Sequence, residues 1–206
     1  MKKSDQTIQK ITDFFISRMQ EKDYDKITVK EISEGLGIQR STFYMYFQNT
    51  RELKETVEEK LLGEMHFYVR SEDRMALDLT PVPSVEAWFA YGMKHRDALM
   101  ALLGEHGDPL FEKRFREKIC AEIHEMMDDE GMPKDGLRPF CVELYYAIHF
   151  SLFRFSFQTM GTDMEMTAQK LAGLANNWRA AVIVAERRQG IPITREEYMK
   201  LYASLK

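Results

Sequence analysis

Much of what enzymes, membrane proteins and secreted proteins need is missing from this chain of 206 residues. No run approaches the about 18 consecutive apolar residues of a membrane span. The start, MKKSDQTIQK, carries two lysines with no apolar segment behind them, so it does not read as a secretory signal. Cysteine is scarce. Cys120 and Cys141 stand alone without metal-ligand spacing, and the expectation is two reduced thiols in a cytoplasmic protein. A stress-sensing thiol pair is the other reading of them. HExxH, CxxC and a phosphate-cradling glycine loop are all absent. His66, His95, His106, His124 and His149 are scattered. The adjacent pairs Glu105-His106 and His124-Glu125 point about 100° apart on a helix and do not converge. These absences argue against catalysis, and against a cofactor or metal.

An excess of positive charge is lacking too. The net charge is −4, residues 1–60 hold 11 Lys/Arg against 11 Asp/Glu, and the remainder holds 18 against 22. Only locally does the balance tip, because Gly37 to Arg51 contains Arg40 and Arg51 and no acid. A nucleic-acid footprint would therefore be local, with modest non-specific affinity. With 44% apolar and 30% charged residues the composition is that of an ordinary globular protein.

What is present is helical periodicity, with no strand alternation and no repeat, so the fold class is all-α. Ile8, Ile11, Phe15 and Met19 step by three and four along a first helix from about Asp5 to Glu21, capped by Ser4, with Lys2 and Lys3 as a basic arm. Thr28 and Glu31 form a capping box, Ile27 and Ile32 a hydrophobic staple, and Gly37 supplies the left-handed residue that ends a short second helix. Ser33, on the inner side of that helix, can bond back to its own backbone. A third helix starts at about Gln39, with Phe43 and Phe47 inward and Arg40, Ser41, Thr42, Tyr44 and Tyr46 outward. Ile11, Phe15, Val29, Ile32, Leu36, Ile38, Phe43 and Phe47 make a three-helix core. This is the pattern of a helix-turn-helix.

In that motif the start of the second helix reaches base edges. Arg40 can take guanine N7 and O6, and Thr42 a thymine methyl. Gln39 and Ser41 complete that polar start. Thr28, Tyr44, Tyr46, Asn49 and Arg51 suit phosphates, which fix register. The competing reading is a helical corner that merely packs.

The spacing predicts a helix from Asn49 to about Arg70, an irregular segment over Ser71 to Pro83, and helices at about 84–103, 109–129, 137–160 and 163–188. Ser84 and Asp108-Pro109 are the start signals for two of them, and a Thr194-Glu197 capping box opens a short last one. The segment 137–160 is apolar nearly all round, which demands burial on more than one side.

Thr28-Val29-x-x-Ile32, Gly37-Ile38, Thr42-Phe43-Tyr44-x-Tyr46-Phe47 and Glu52-Leu53 resemble the N-terminal signature of TetR-type transcriptional regulators, over roughly residues 8 to 60. Leu102 to Phe111 resembles a stretch of some C-terminal domains of that group. Gln48 and Thr50 depart from it, since lysines commonly follow the aromatic pair, and Gln39 replaces the usual Ser or Thr cap. The resemblance implies a head of residues 1–48, a three-helix helix-turn-helix, and a C-terminal helical bundle of residues 49–206 for ligand sensing and dimerisation. It further implies a repressor that binds a palindromic operator as a homodimer and is released by a small molecule. Trp88, Tyr91, His95, Phe115, Tyr145 and His149 are the candidate ligand contacts, and equally read as ordinary core. The helices near 137–160 and 163–188 are the expected dimer surface. A coactivator or protein-interaction module with a weakened DNA grip is the alternative that the neutral head leaves open.

Overall fold

Every regular element that could be described is helical. The structure is a computed structural model, and it describes residues 3–70, 82–163, 166–189 and 191–204. In chain order these are α1 (Lys3–Met19), a single 3₁₀ turn (Tyr24–Lys26), α2 (Val29–Leu36), α3 (Arg40–Tyr44), α4 (Thr50–Glu64) and α5 (Pro83–Lys94). There follow α6 (Arg96–Leu103), α7 (Pro109–Asp129), α8 (Arg138–Thr159), α9 (Ala168–Arg187) and α10 (Arg195–Ser204). No helix among the described residues is long and apolar enough to cross a membrane.

The buried apolar side chains run as one cluster from Ile11, Phe15, Ile32 and Phe43 through Leu53, Leu61 and Phe67 to Trp88, Phe115, Phe153 and Leu171. Packing follows from the stripes. Helix α1 lies on α2 and α6, α4 on the 3₁₀ turn and α7, α5 on α6, α8 and α9, and α8 between α7 and α9. Ala172 and Ala175 are buried, and their small size lets α9 approach its neighbours closely.

Several expected boundaries move, each for a tertiary reason. Helix α4 stops at Glu64 rather than near Arg70. The N–H groups of Phe67 and Tyr68 donate to Glu122 Oε2 on α7 (2.5 and 3.0 Å), which a continuing helix would have kept for itself. The helix expected over 84–103 is two helices, bent at His95 (φ −106°, ψ 22°). Arg96 Nε bonds the Phe157 carbonyl at 3.0 Å and so turns α6 off the α5 axis. Pro83 opens α5, and Val82 rather than Ser84 holds the N-cap position. The Ser84 hydroxyl has no partner. Most of the irregular segment, residues 71–81, lies outside the described residues, as does Lys2 of the basic arm. Ser4 lies within α1 and bonds Asp5, so it does not cap the helix. Ile8 is exposed, and the Ser33 hydroxyl is buried without a partner instead of bonding back. Two later caps form as expected. The Asp108 carboxylate accepts from the Leu110 N–H at 2.9 Å, with Pro109 in the first turn. Thr194 and Glu197 each accept the other's backbone N–H.

Candidate nucleic-acid interface and body cleft

Thr28 is extended (φ −108°, ψ 152°), and its Oγ1 accepts the Glu31 N–H at 3.2 Å. Ile27 and Ile32 are both buried, so the staple holds. The reciprocal half of the box is not made. The Glu31 carboxylate bonds Lys22 (2.7 Å) and Arg18 (2.8 Å) at the end of α1. Lys22, and after it Arg18, keep this carboxyl below the usual glutamate range despite some burial. Gly37 adopts φ 63°, ψ 32°, a left-handed conformation that costs glycine nothing. Ile38 N–H then bonds Ser33 O at 2.9 Å and Gly37 N–H bonds Glu34 O at 3.2 Å, closing a Schellman-type end. The turn between α2 and α3 is thus fixed by backbone bonds.

Gln39 holds the N-cap position of α3 without a side-chain cap bond. Phe43 is fully buried and in contact with Phe47, their centroids 5.7 Å apart. That pair fixes which face points out. Arg40, Ser41 and Tyr44 are exposed, and Thr42 and Tyr46 are half-buried. Arg40 and Arg51 make no ion pair with any described residue. At the next corner Asn49 Oδ1 accepts the Glu52 N–H at 2.9 Å, while Glu52 accepts the Gln48 N–H. Asn49 and Arg51 stand exposed at the start of α4, and Thr28 is exposed at the start of α2. Gln39 is exposed as well, so no member of the expected set is buried. Met45, directly after α3 and absent from the sequence reading, is 75% exposed. The Phe43–Phe47 spacing held the clue, since a residue midway between two inward positions four apart must face out.

Behind this corner lies a buried ionic cluster. Lys54 of α4, 5% exposed, bonds Asp108 at the start of α7 and lies 3.2 Å from Glu58. Arg114 of α7 reaches Glu58 at 3.4 Å, and the Lys54 ammonium also lies 4.4 Å from the centroid of Tyr24 in the 3₁₀ turn. Burial works against the charge on Lys54, yet Asp108 and Glu58 hold it above the usual lysine value. Burial pushes Glu58 up, and Lys54 brings Asp108 down against burial. His106, in the α6–α7 loop, meets Asp23 at 3.0 Å. Nothing in the sequence pattern singles out Lys54; its position on the buried side of a charged helix was the available signal.

In the body, a cleft is walled by Val82, Val85, Met126 and Ala172 and carries Tyr145, His149, Asn176 and Arg179. It has room for about one water molecule. Of the six side chains expected to meet a ligand, only Tyr145 and His149 line it. Trp88 stacks on Phe153 (centroids 4.4 Å apart, 26° between planes) and meets Phe67 edge-on. Phe115 is buried among Phe111, Phe150 and Phe153. Tyr91 leans on His95, and its hydroxyl donates to Glu64 at 3.3 Å. Burial, then Glu64, raises the Tyr91 phenol to about 12, and burial lowers His95. Met126, Asn176 and Arg179 of the lining were not foreseen. Arg179 bonds Glu130 and, at 3.1 Å, Asn176. Among the described residues no three His, Cys, Asp or Glu side chains converge as metal ligands would. Cys141 is buried, and burial raises the thiol of Cys120.

Residues 18–57 match the family model of the bacterial regulatory proteins, tetR family. A comparison with curated proteins finds no match. Among solved structures, a TetR transcriptional regulator from Streptococcus agalactiae 2603V is similar at 23% identity, covering 84% of this chain and 96% of that one with a TM-score of 0.52. A protein from Pseudomonas aeruginosa PAO1, provisionally described as a transcriptional regulator, aligns at 12% identity over 91% of this chain and 96% of its own, with a TM-score of 0.60. At these identities the two structures establish a common fold.

Proposed function

We propose that this chain, a TetR-type transcriptional regulator by the helix-turn-helix at its head, binds a palindromic operator as a homodimer and is released by a small molecule, as a repressor is. The observation that carries the reading is the open, acid-free face of α3 on a corner whose inner side is locked by Phe43, Phe47 and the Gly37 turn. In it Arg40 reads a guanine edge, Thr42 and Met45 meet thymine methyls, and Gln39 and Ser41 complete the polar start of α3. Tyr44, Tyr46, Thr28, Asn49 and Arg51 set register on phosphates. Residues 1–48 are the reading head and residues 49–206 the sensing and dimerising body.

Two uncovered stripes support the dimer. On α8, Phe140 and Phe155 are exposed with Leu144 and Ile148 half-buried between them, and on α9 Leu174 and Trp178 are exposed four residues apart. A C2 pair joining these faces makes a four-helix bundle and places two α3 helices in successive major grooves. The Lys54 ammonium lies against the Tyr24 ring and His106 of the α6–α7 loop meets Asp23, giving the body a grip on the head. A ligand acts only through its different affinity for the two head arrangements.

Selection from a randomised duplex pool, followed by gel shift across a salt series, tests the reading. An enriched two-half-site sequence is the expected result; no enrichment at low salt would leave the coactivator reading, which the neutral head, Gln48 and Thr50 favour.

A further inference from the structure

The polar groups of the body cleft are specific about charge. His149 on α8 is fully enclosed, and its Nδ1–H donates to the Tyr145 carbonyl one turn back at 2.8 Å. That bond selects the neutral tautomer with the lone pair on Nε2, which takes no hydrogen bond from any described residue. The ring is held by a parallel Tyr145 ring (4.9 Å, 10°) and an edge-on Phe67 (4.9 Å, 85°), so Nε2 cannot swing to find a partner. Burial lowers the imidazole to about 4, and the group stays uncharged at neutral pH. Among the described lining residues Arg179 is the one cation, neutralised by Glu130, and none is an acid. An anion would meet the acceptor nitrogen of His149 and a spent guanidinium, with only the uncharged donors of Tyr145 and Asn176 to face it, and a cation would find no counter-charge among the described lining residues. Each would lose its hydration without return.

We propose that this cleft takes an uncharged aromatic molecule bearing one hydroxyl or N–H group, which donates to Nε2 of His149. The inference rests on the reading that the body senses a small molecule, and names the chemical class. With room for about one water, the cleft admits a ring only if the flexible Met126 side chain gives way and α5 parts from α8 and α9. Helix α5 runs into α6, which carries α1, so the separation that admits the ring is delivered to the head.

The test uses the full-length protein with phenol, benzene and benzoate as probes, by calorimetric titration and thermal shift. Phenol is expected to bind about ten-fold tighter than benzene, as one net hydrogen bond gives, and benzoate not at all. His149→Leu should bring phenol level with benzene. Met126→Ala, which enlarges the cleft without touching the acceptor, should strengthen phenol and benzene together and keep their ratio. Benzoate binding as well as phenol, equal phenol and benzene affinities in the unaltered protein, or no binding by any probe even to Met126→Ala, would each overturn the proposal. Operator selection without added compound separates the two claims. An operator with no phenol binding sinks the ligand class alone, and phenol binding with no operator sinks the DNA reading.

Discussion

Asp108→Asn is the sharpest probe of how α4 is fastened to the start of α7. Asparagine keeps the side-chain oxygen that accepts the Leu110 N–H, so the cap on α7 survives and only the charge opposite Lys54 is lost. In the native cluster two cations, Lys54 and Arg114, balance two anions, Glu58 and Asp108. The substitution leaves one positive charge in excess around an ammonium 5% exposed. Breaking a buried pair costs about 3–5 kcal/mol. Glu58 still holds Lys54 and the Asp108 side chain retains 12% exposure, so about 1.5–2.5 kcal/mol is the expectation. For a chain of this size that is a fall of about 4–8 °C in Tm, with an unchanged urea m-value. Lys54→Met leaves Glu58 and Asp108 facing only Arg114, and the double variant should cost at least about 1 kcal/mol less than the two singles added. Additivity within about 0.5 kcal/mol, or a Tm unmoved by Asp108→Asn, would refute the claim that this contact fastens α4 to the start of α7.

Other outcomes follow from the same geometry. Arg40→Ala should relax preference at one base pair by about 1–3 kcal/mol in a binding-site selection, while Tyr46→Phe should weaken all sequences alike; equal uniform losses would mean that Arg40 reads no base. Gly37→Ala forces a Cβ into a left-handed backbone and should cost about 1 kcal/mol in urea denaturation; an unchanged midpoint would contradict the turn. Phe140→Glu with Trp178→Glu should give monomers in sedimentation, and a persisting dimer would move the interface elsewhere. Asp108, Glu31 and Asp128 have carboxyls held below their ordinary range, so their stabilisation is present above the unfolded values and lost as pH falls through the folded ones. The urea midpoint should therefore drop between about pH 5 and 3, less steeply in Asp108→Asn, and a midpoint that rises towards pH 3 would refute this.

The parts legible in the sequence are those that local chemistry decides. Thr28, Gly37, Asn49, Asp108-Pro109 and Thr194-Glu197 each specify a helix end through bonds within a few residues, and each end is found there. The corner that presents Arg40 is of this kind. What escaped was set by partners distant in the chain. Glu122 ends α4 from 55 residues away, and the Arg96–Phe157 bond, 61 residues apart, accompanies a bend at His95 where no proline or glycine marks it. Six aromatic or histidine side chains on helical stripes could not be sorted into core and cleft, because that depends on which of them face Arg179 and Met126 across the bundle. Lys54 was invisible for the opposite reason: in a helix rich in charge, a buried ammonium looks like its solvated neighbours.

The short reach of α4 sets a mechanical ratio. Its far end is followed by the Phe67 and Tyr68 amides that Glu122 grips, and its near end carries the corner that presents Arg40. Lys54 fastens the rod about 6 Å from the near end and about 15 Å from the far one, at the usual rise per residue. Were the rod to tilt about that point, displacement of its far end would emerge reversed in direction and less than half as large at the start of α4. Such a lever trades travel for force. Moving that point, by shifting the lysine and its acidic partner one turn along the rod, would change the ratio.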